Sequence, residues 1–156
     1  MNWKEELKQM KLEDIKAKSP GFFDLSGGYS MKVKRYCDKT TNGLTAAVYD
    51  WLKFNKHYVN RINVQGQCRV EKIELAGGRT IEKLRYTPSM TNKGTADLMA
   101  IIKGLPVSIE IKCAATKDRQ SEDQRKEQKR IEQAGGVYLI VNDMEQFVSW
   151  YKEFTA

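Results

Sequence analysis

The sequence predicts an α/β fold, a mixed β-sheet flanked by helices. Three observations predict it. Apolar residues recur at helical spacing near both ends of the chain, they alternate through the middle, and the order runs helix, several antiparallel strands, helix, strand, helix. No internal repeat or low-complexity tract interrupts this order.

The elements follow in turn. Residues 2–18 set Trp3, Leu7, Met10 and Ile15 among charges, which predicts a short amphipathic helix that Ser19-Pro20-Gly21 stops. Residues 21–39 hold Gly27-Gly28 and the basic group Lys32, Lys34, Arg35 and Lys39, and read as an irregular or extended arm. Thr41-Asn42-Gly43 opens a second helix, with Asn42-Gly43 most simply its N-cap. Leu44, Ala47, Val48, Trp51 and Leu52 give that helix an apolar stripe, and it should end near Asn55. His57 to Val64 alternates as a strand. Cys68 to Leu75 and Arg79 to Leu84 flank Ala76-Gly77-Gly78, a hairpin signal. Arg85 to Lys93 is polar, holds Pro88 and reads as a loop. Leu98 to Lys103 and Val107 to Cys113 read as strands joined by Gly104-Leu105. Residues 122–134 form a charged helix, Val137 to Val141 a short apolar strand, and Met144 to Phe154 a last helix.

Composition bounds the function. At 156 residues and 40% hydrophobic content the chain supports one domain with a modest core. A net charge of +7 favours a polyanionic partner, nucleic acid being the commonest. No run of ~18 apolar residues predicts a membrane span, and the charged N-terminus lacks the apolar stretch of a signal peptide. Cytoplasmic residence is therefore expected, with Cys37, Cys68 and Cys113 as free thiols. The single histidine, His57, gives little support to zinc chemistry or to a His-centred nuclease motif.

The stretch that carries chemistry is Gly94-Thr95-Ala96-Asp97-Leu98 followed by Ile109-Glu110-Ile111-Lys112. Glu110 and Lys112 are two apart on a strand, so they project from one face while Ile109 and Ile111 point into the core. A type II′ turn at Gly104-Leu105 would pair Lys103 with Pro106 and set Asp97 opposite Lys112 and Met99 opposite Glu110. Asp97, Glu110 and Lys112 then share one face, an arrangement a one-residue slip would break. Adjacent carboxylates repel and call for a counter-charge, typically a hard cation such as Mg2+. A metal held there can generate hydroxide and neutralise charge on a phosphate, and a lysine beside it can orient water or stabilise the transition state. The competing reading is a solvated strand face with an Asp–Lys cross-strand pair. The apolar residues flanking Glu-x-Lys, and a Gly-x-x-Asp at hairpin distance, favour the functional one.

Together with Arg119-Gln120-Ser121-Glu122-Asp123-Gln124 and Ala134-Gly135-Gly136-Val137-Tyr138, these segments resemble the VRR-NUC branch of the PD-(D/E)XK nucleases. The resemblance runs from about Asn42 to the C-terminus. It sets residues 1–39, helix and basic arm, apart from a nuclease domain over 40–156. It implies a restriction-endonuclease-like core and magnesium-dependent endonucleolytic cleavage of DNA phosphodiesters, often at branched or junction structures, with Mn2+ able to substitute. By position, Asp97 and Glu110 become metal ligands, Ile111 offers its main-chain carbonyl, Lys112 is the catalytic lysine, and Gln124 sits near the active site. Two positions depart from the family pattern: Ala96 replaces the proline before the aspartate, and uncharged Asn42 stands where the first helix usually offers a glutamate.

Other residues fit around this set. Ser121-Glu122-Asp123-Gln124 also reads as a capping box, and the two roles of Gln124 can coexist. Lys117 and Arg119, just after the catalytic strand, are DNA-contact candidates. Arg61 suits either DNA or a site carboxylate. Arg125, Lys126, Lys129 and Arg130 read as a solvated helix face paired with Glu122, Asp123, Glu127 and Glu132. Tyr36, Tyr86 and Tyr138 suit base stacking but more often serve packing. The expected partner is DNA. A homodimer fits because resolving a junction needs two cuts, and a helicase or other targeting partner is equally compatible with the sequence. The small size suits a bacterial or phage-encoded enzyme. The alternative is a catalytically silent or partner-dependent nucleic-acid-binding subunit with a nuclease fold.

Overall fold

The computed structural model describes residues 2–25, 35–62, 66–76, 78–88 and 91–156. Five helices and six strands are formed among them: α1 (Trp3–Lys18), α2 (Pro20–Leu25), α3 (Thr41–Phe54), β1 (Tyr58–Arg61), β2 (Gln67–Leu75), β3 (Arg79–Thr87), β4 (Leu98–Ile102), β5 (Leu105–Ile111), α4 (Glu122–Gln133), β6 (Val137–Val141) and α5 (Met144–Thr155). Strands β1-β4-β5-β6 make one sheet in that order, antiparallel except for the parallel pair β5 and β6. The predicted mixed sheet flanked by helices is present. Strands β2 and β3 form a separate two-stranded ribbon.

The core lies on one face of the four-stranded sheet. Leu98, Ala100, Ile102, Val107, Ile109 and Ile111 alternate onto that face and meet Leu44, Val48, Trp51 and Leu52 of α3 and Phe147 and Val148 of α5. Trp3 and Leu7 of α1 belong to the same cluster, so the N-terminal helix packs with the rest of the core. Helix α1 starts on an Asn2 cap, with Glu5 and Glu6 in its first turn and Lys16 and Lys18 in its last, the polarity a helix dipole favours. His57 bonds the Tyr151 hydroxyl at 2.8 Å, joining the end of α3 to α5 away from the candidate site.

Several expectations are corrected. The cap of α3 is Thr40, whose Oγ1 accepts from Gly43 N at 3.1 Å, while Asn42 lies inside the first turn. A helix, α2, begins the segment read as an irregular arm; Gly27, Gly28, Lys32 and Lys34 lie outside the described residues. Strand β1 ends at Arg61, and Val64, expected to close it, is also outside them. The ribbon runs to Thr87, through residues expected as loop, because Arg85, Tyr86 and Thr87 find partners in Arg69, Cys68 and Gln67. Its turn spans 76–78, of which Gly77 is not described.

The β4–β5 turn is the correction that matters for the site. Ile102 pairs with Leu105, so Lys103 and Gly104 are the central residues. Both have positive φ, 49° and 80°. This is the signature of a type I′ turn, whose twist matches that of the flanking strands. Glycine sits at the second central position rather than the first, and Lys103 accepts the left-handed conformation with its ammonium bonded to the Ala156 carbonyl. The register therefore has Leu98 opposite Ile109 and Met99 opposite Ser108, and continued by one residue it sets Asp97 opposite Glu110 rather than Lys112. The difference is two residues. Side chains alternate with period two, so an even shift leaves Asp97, Glu110 and Lys112 on one face.

Candidate functional site

The site lies on the sheet face opposite the main core. Helix α4 approaches β6 on this side and sends Gln124 onto β5. Glu110 is only 2% exposed and Lys112 only 8%, unusual burial for charged residues and tolerable because each is bonded. Glu110 Oε1 lies 3.1 Å from Lys112 Nζ and accepts from Gln124 Nε2 at 2.5 Å. Its Oε2 accepts from the Tyr138 hydroxyl at 3.5 Å. Lys112 Nζ also bonds Asp118 Oδ2 at 3.2 Å. Asp97 Oδ2 accepts from the Ile111 main-chain N–H at 3.0 Å. Extended backbone sends the N–H and C=O of one residue to the same side, so the Ile111 carbonyl faces the Asp97 side.

The electrostatics follow from this crowding. Burial, then the nearby Asp97 carboxylate, pushes the Glu110 carboxyl up to about 7, against the pull of Lys112. Burial alone would lower the Lys112 ammonium, but its bonds to Glu110 and Asp118 outweigh that and hold it above its ordinary value. The Tyr138 phenol is raised by burial and by Glu110. Two carboxylates and a main-chain carbonyl supply only hard oxygen donors, and burial together with the neighbouring Asp97 makes Glu110 hold its proton up to near neutral pH despite Lys112 beside it. A hard divalent cation fits that donor set. Among the described residues, no group of three or more His, Cys, Asp or Glu side chains converges on one point.

Local sequence explains the placement. Gly94 has φ of +83°, and a Cβ there would run into the Asp123 carbonyl. The loop leading to Asp97 can pack this closely on the start of α4 only without a side chain. Ser121 caps α4 and Gln124 closes the capping box through its Oε1, leaving its Nε2 free to bond Glu110. Gln124 thus caps its helix and also bonds Glu110.

The other candidates separate. Lys117 and Arg119 are exposed in the loop after β5, with Lys117 left-handed at φ 54°. Arg61 and Asn42 meet each other, Nη2 to Oδ1 at 3.5 Å. Arg61 stands opposite Leu98, whose side chain faces the core, and among the described residues it makes no ion pair with a site carboxylate. Of the charge pairs expected along α4, Arg130–Glu127 at 3.1 Å forms, while Arg125, Lys126 and Lys129 are exposed and make no ion pair among the described residues. Tyr36 bonds Asp50 at 2.7 Å, and Tyr86 is exposed on the ribbon.

Two contributors were missed from the sequence. Asp118 sits between the two cations singled out there, and its one signal was being an acid six residues after the lysine it bonds. From the sequence Tyr138 suits stacking or packing, whereas its register beside Ser108 on the parallel neighbour β6 turns it toward Glu110. No family model matches this chain, and no curated protein matches it in sequence.

Proposed function

We propose that this chain is a metal-dependent nuclease that hydrolyses phosphodiester bonds in DNA, with a PD-(D/E)XK-type core of the VRR-NUC kind. The observation that carries the reading is the buried Glu110–Lys112 pair beside Asp97, with the Glu110 carboxyl raised to about 7. A protein that only bound a polyanion would gain nothing from two carboxylates on its binding face.

Asp97, Glu110 and the Ile111 carbonyl would hold Mg2+ or Mn2+, which supplies Lewis-acid polarisation and an activated water when bound. The chain's own residues do the rest. The Ile111 N–H fixes one Asp97 oxygen and so orients the carboxylate. Gln124 and Tyr138 hold Glu110 in one rotamer. Lys112 carries its positive charge where a phosphate would gain negative charge in the transition state, and Asp118 keeps it charged and aimed.

The test is incubation with labelled duplex, flap and four-way-junction DNA in Mg2+, Mn2+ or EDTA. Cleavage is expected with either metal and none in EDTA. Lys112→Ala should lose cleavage at least ~100-fold while keeping its affinity for DNA, because one lysine among 27 basic residues adds little to ground-state attraction. Undiminished cleavage in EDTA, or wild-type rates from Lys112→Ala, would sink the assignment. Loss of folding in that variant would instead mark a structural ion pair.

A further inference from the structure

The ribbon β2–β3 takes no part in the site or in the four-stranded sheet, and every residue of its two nine-residue strands is exposed. An isolated two-stranded ribbon is marginal in water, so a long one that covers nothing calls for a role. Its register divides the side chains between two faces of different charge. One face presents Arg69 opposite Arg85, Glu71 opposite Lys83, Ile73 opposite Ile81, and Leu75 opposite Arg79. It holds four cations against the single acid Glu71. The other presents Cys68 opposite Tyr86, Val70 opposite Leu84, Lys72 opposite Glu82, and Glu74 opposite Thr80, one cation against two acids.

The cationic face is neutralised only in part from within. Glu71 bonds Arg85 at 2.9 Å, and Arg69 reaches the Gln67 amide oxygen at 3.0 Å. Arg69, Arg79 and Lys83 make no ion pair among the described residues. Like charges directly opposite on a ribbon are destabilising unless an anion lies between them. A second copy of this face cannot supply it, since a two-fold contact would bring cations onto cations.

We propose that this face of the β2–β3 ribbon is a docking surface for duplex nucleic acid, its Arg69, Arg79, Lys83 and Arg85 neutralising backbone phosphates. A two-stranded ribbon has the cross-section a major groove admits, and nine residues give it a length of about 30 Å. The choice of a polynucleotide as the polyanion rests on the nuclease reading of the site. The cationic face itself does not.

The test is a titration of the full chain with labelled duplex DNA in EDTA, where cleavage plays no part, over a series of salt concentrations. The triple variant Arg69→Gln, Lys83→Gln, Arg85→Gln should bind at least ~10-fold more weakly at moderate salt. Its slope of log K against log salt should fall by about 0.9 for each phosphate that is no longer neutralised. Lys72→Gln, on the opposite face of the same strand, should leave affinity and slope as in wild type, which separates phosphate binding at this face from a general loss of charge. Gln retains most of each side chain and relieves the Arg69–Arg85 repulsion, and thermal unfolding of the triple variant checks that it folds. An unchanged slope in a folded triple variant overturns the proposal, as does an equal effect from Lys72→Gln. So does wild-type protein that ignores duplex DNA but binds anionic vesicles with the same sensitivity to the triple variant. Wild type that binds DNA through this face but cleaves none in Mg2+ would refute the site and leave the docking surface standing.

Discussion

At the scale of single residues, the site rests on side chains doing two jobs at once. Gln124 caps its own helix through Oε1 and steadies Glu110 through Nε2. Gln124→Glu separates the two. Glutamate is the other residue that completes a capping box, so the helix start keeps its bonds. The amide donor is lost, however, and a third carboxylate arrives beside Glu110 and Asp97. Cleavage should fall at least ~10-fold while urea-unfolding stability drops by no more than about 1 kcal/mol. Equal cleavage by this variant would leave Gln124 only a cap. The sequence showed Glu110 and Lys112 because strand alternation is a local rule. Asp118 and Tyr138 stayed out of reach because they meet the site through a loop and a parallel neighbour, and no local period announces either.

At the scale of elements, boundaries moved and the short helix α2 replaced the start of the expected arm, while the other helices and strands kept their types. Thr40, rather than Asn42, caps α3, because both the hydroxyl before the helix and the amide within it are plausible caps from sequence, and only backbone geometry chooses between them. Thr40→Ala should therefore cost about 1 kcal/mol and Asn42→Ala less than about 0.5 kcal/mol, measured by urea unfolding. The reverse order would restore Asn42 as the cap. Asn42→Asp adds a charge 3.5 Å from Arg61, and higher activity or tighter metal binding in that variant would show that the side chain reaches the site. The β4–β5 turn gives the same lesson in a form that bears on function. Gly104 signalled a tight turn but not which central position it takes, and the register moved by two residues. Parity, which the apolar alternation of Leu98, Ala100 and Ile102 fixes, kept the three site residues together.

At the scale of the whole molecule, a cation held as proposed would make stability depend on pH and on metal together. The Glu110 carboxyl is raised from an ordinary 4.5 to about 7 in the folded chain. Below about pH 4.5 the residue is protonated whether folded or not, and its burial costs no charge. Between 4.5 and 7 the unfolded chain has lost a proton that the folded chain keeps, so unfolding releases a proton and rising pH favours it. Above 7 the folded chain carries a buried charge beside Asp97, and the stability present at low pH is gone, roughly 3 kcal/mol for a shift of this size. Other groups titrate in the same range, so the quantity to follow is the difference between wild type and Glu110→Gln, whose amide does not ionise. In EDTA the melting temperature of wild type should fall relative to that of Glu110→Gln as pH rises from about 5 to about 8. Mg2+ should reverse the trend, because a cation binds the ionised carboxylate and stabilises the folded state only once the proton has left. The Mg2+ shift in melting temperature should thus be larger at about pH 8 than at about pH 5, and small in Glu110→Gln at either pH. A wild-type shift equal at both pH values would show the cation binding elsewhere, and the donor set assigned to Asp97, Glu110 and the Ile111 carbonyl would be wrong.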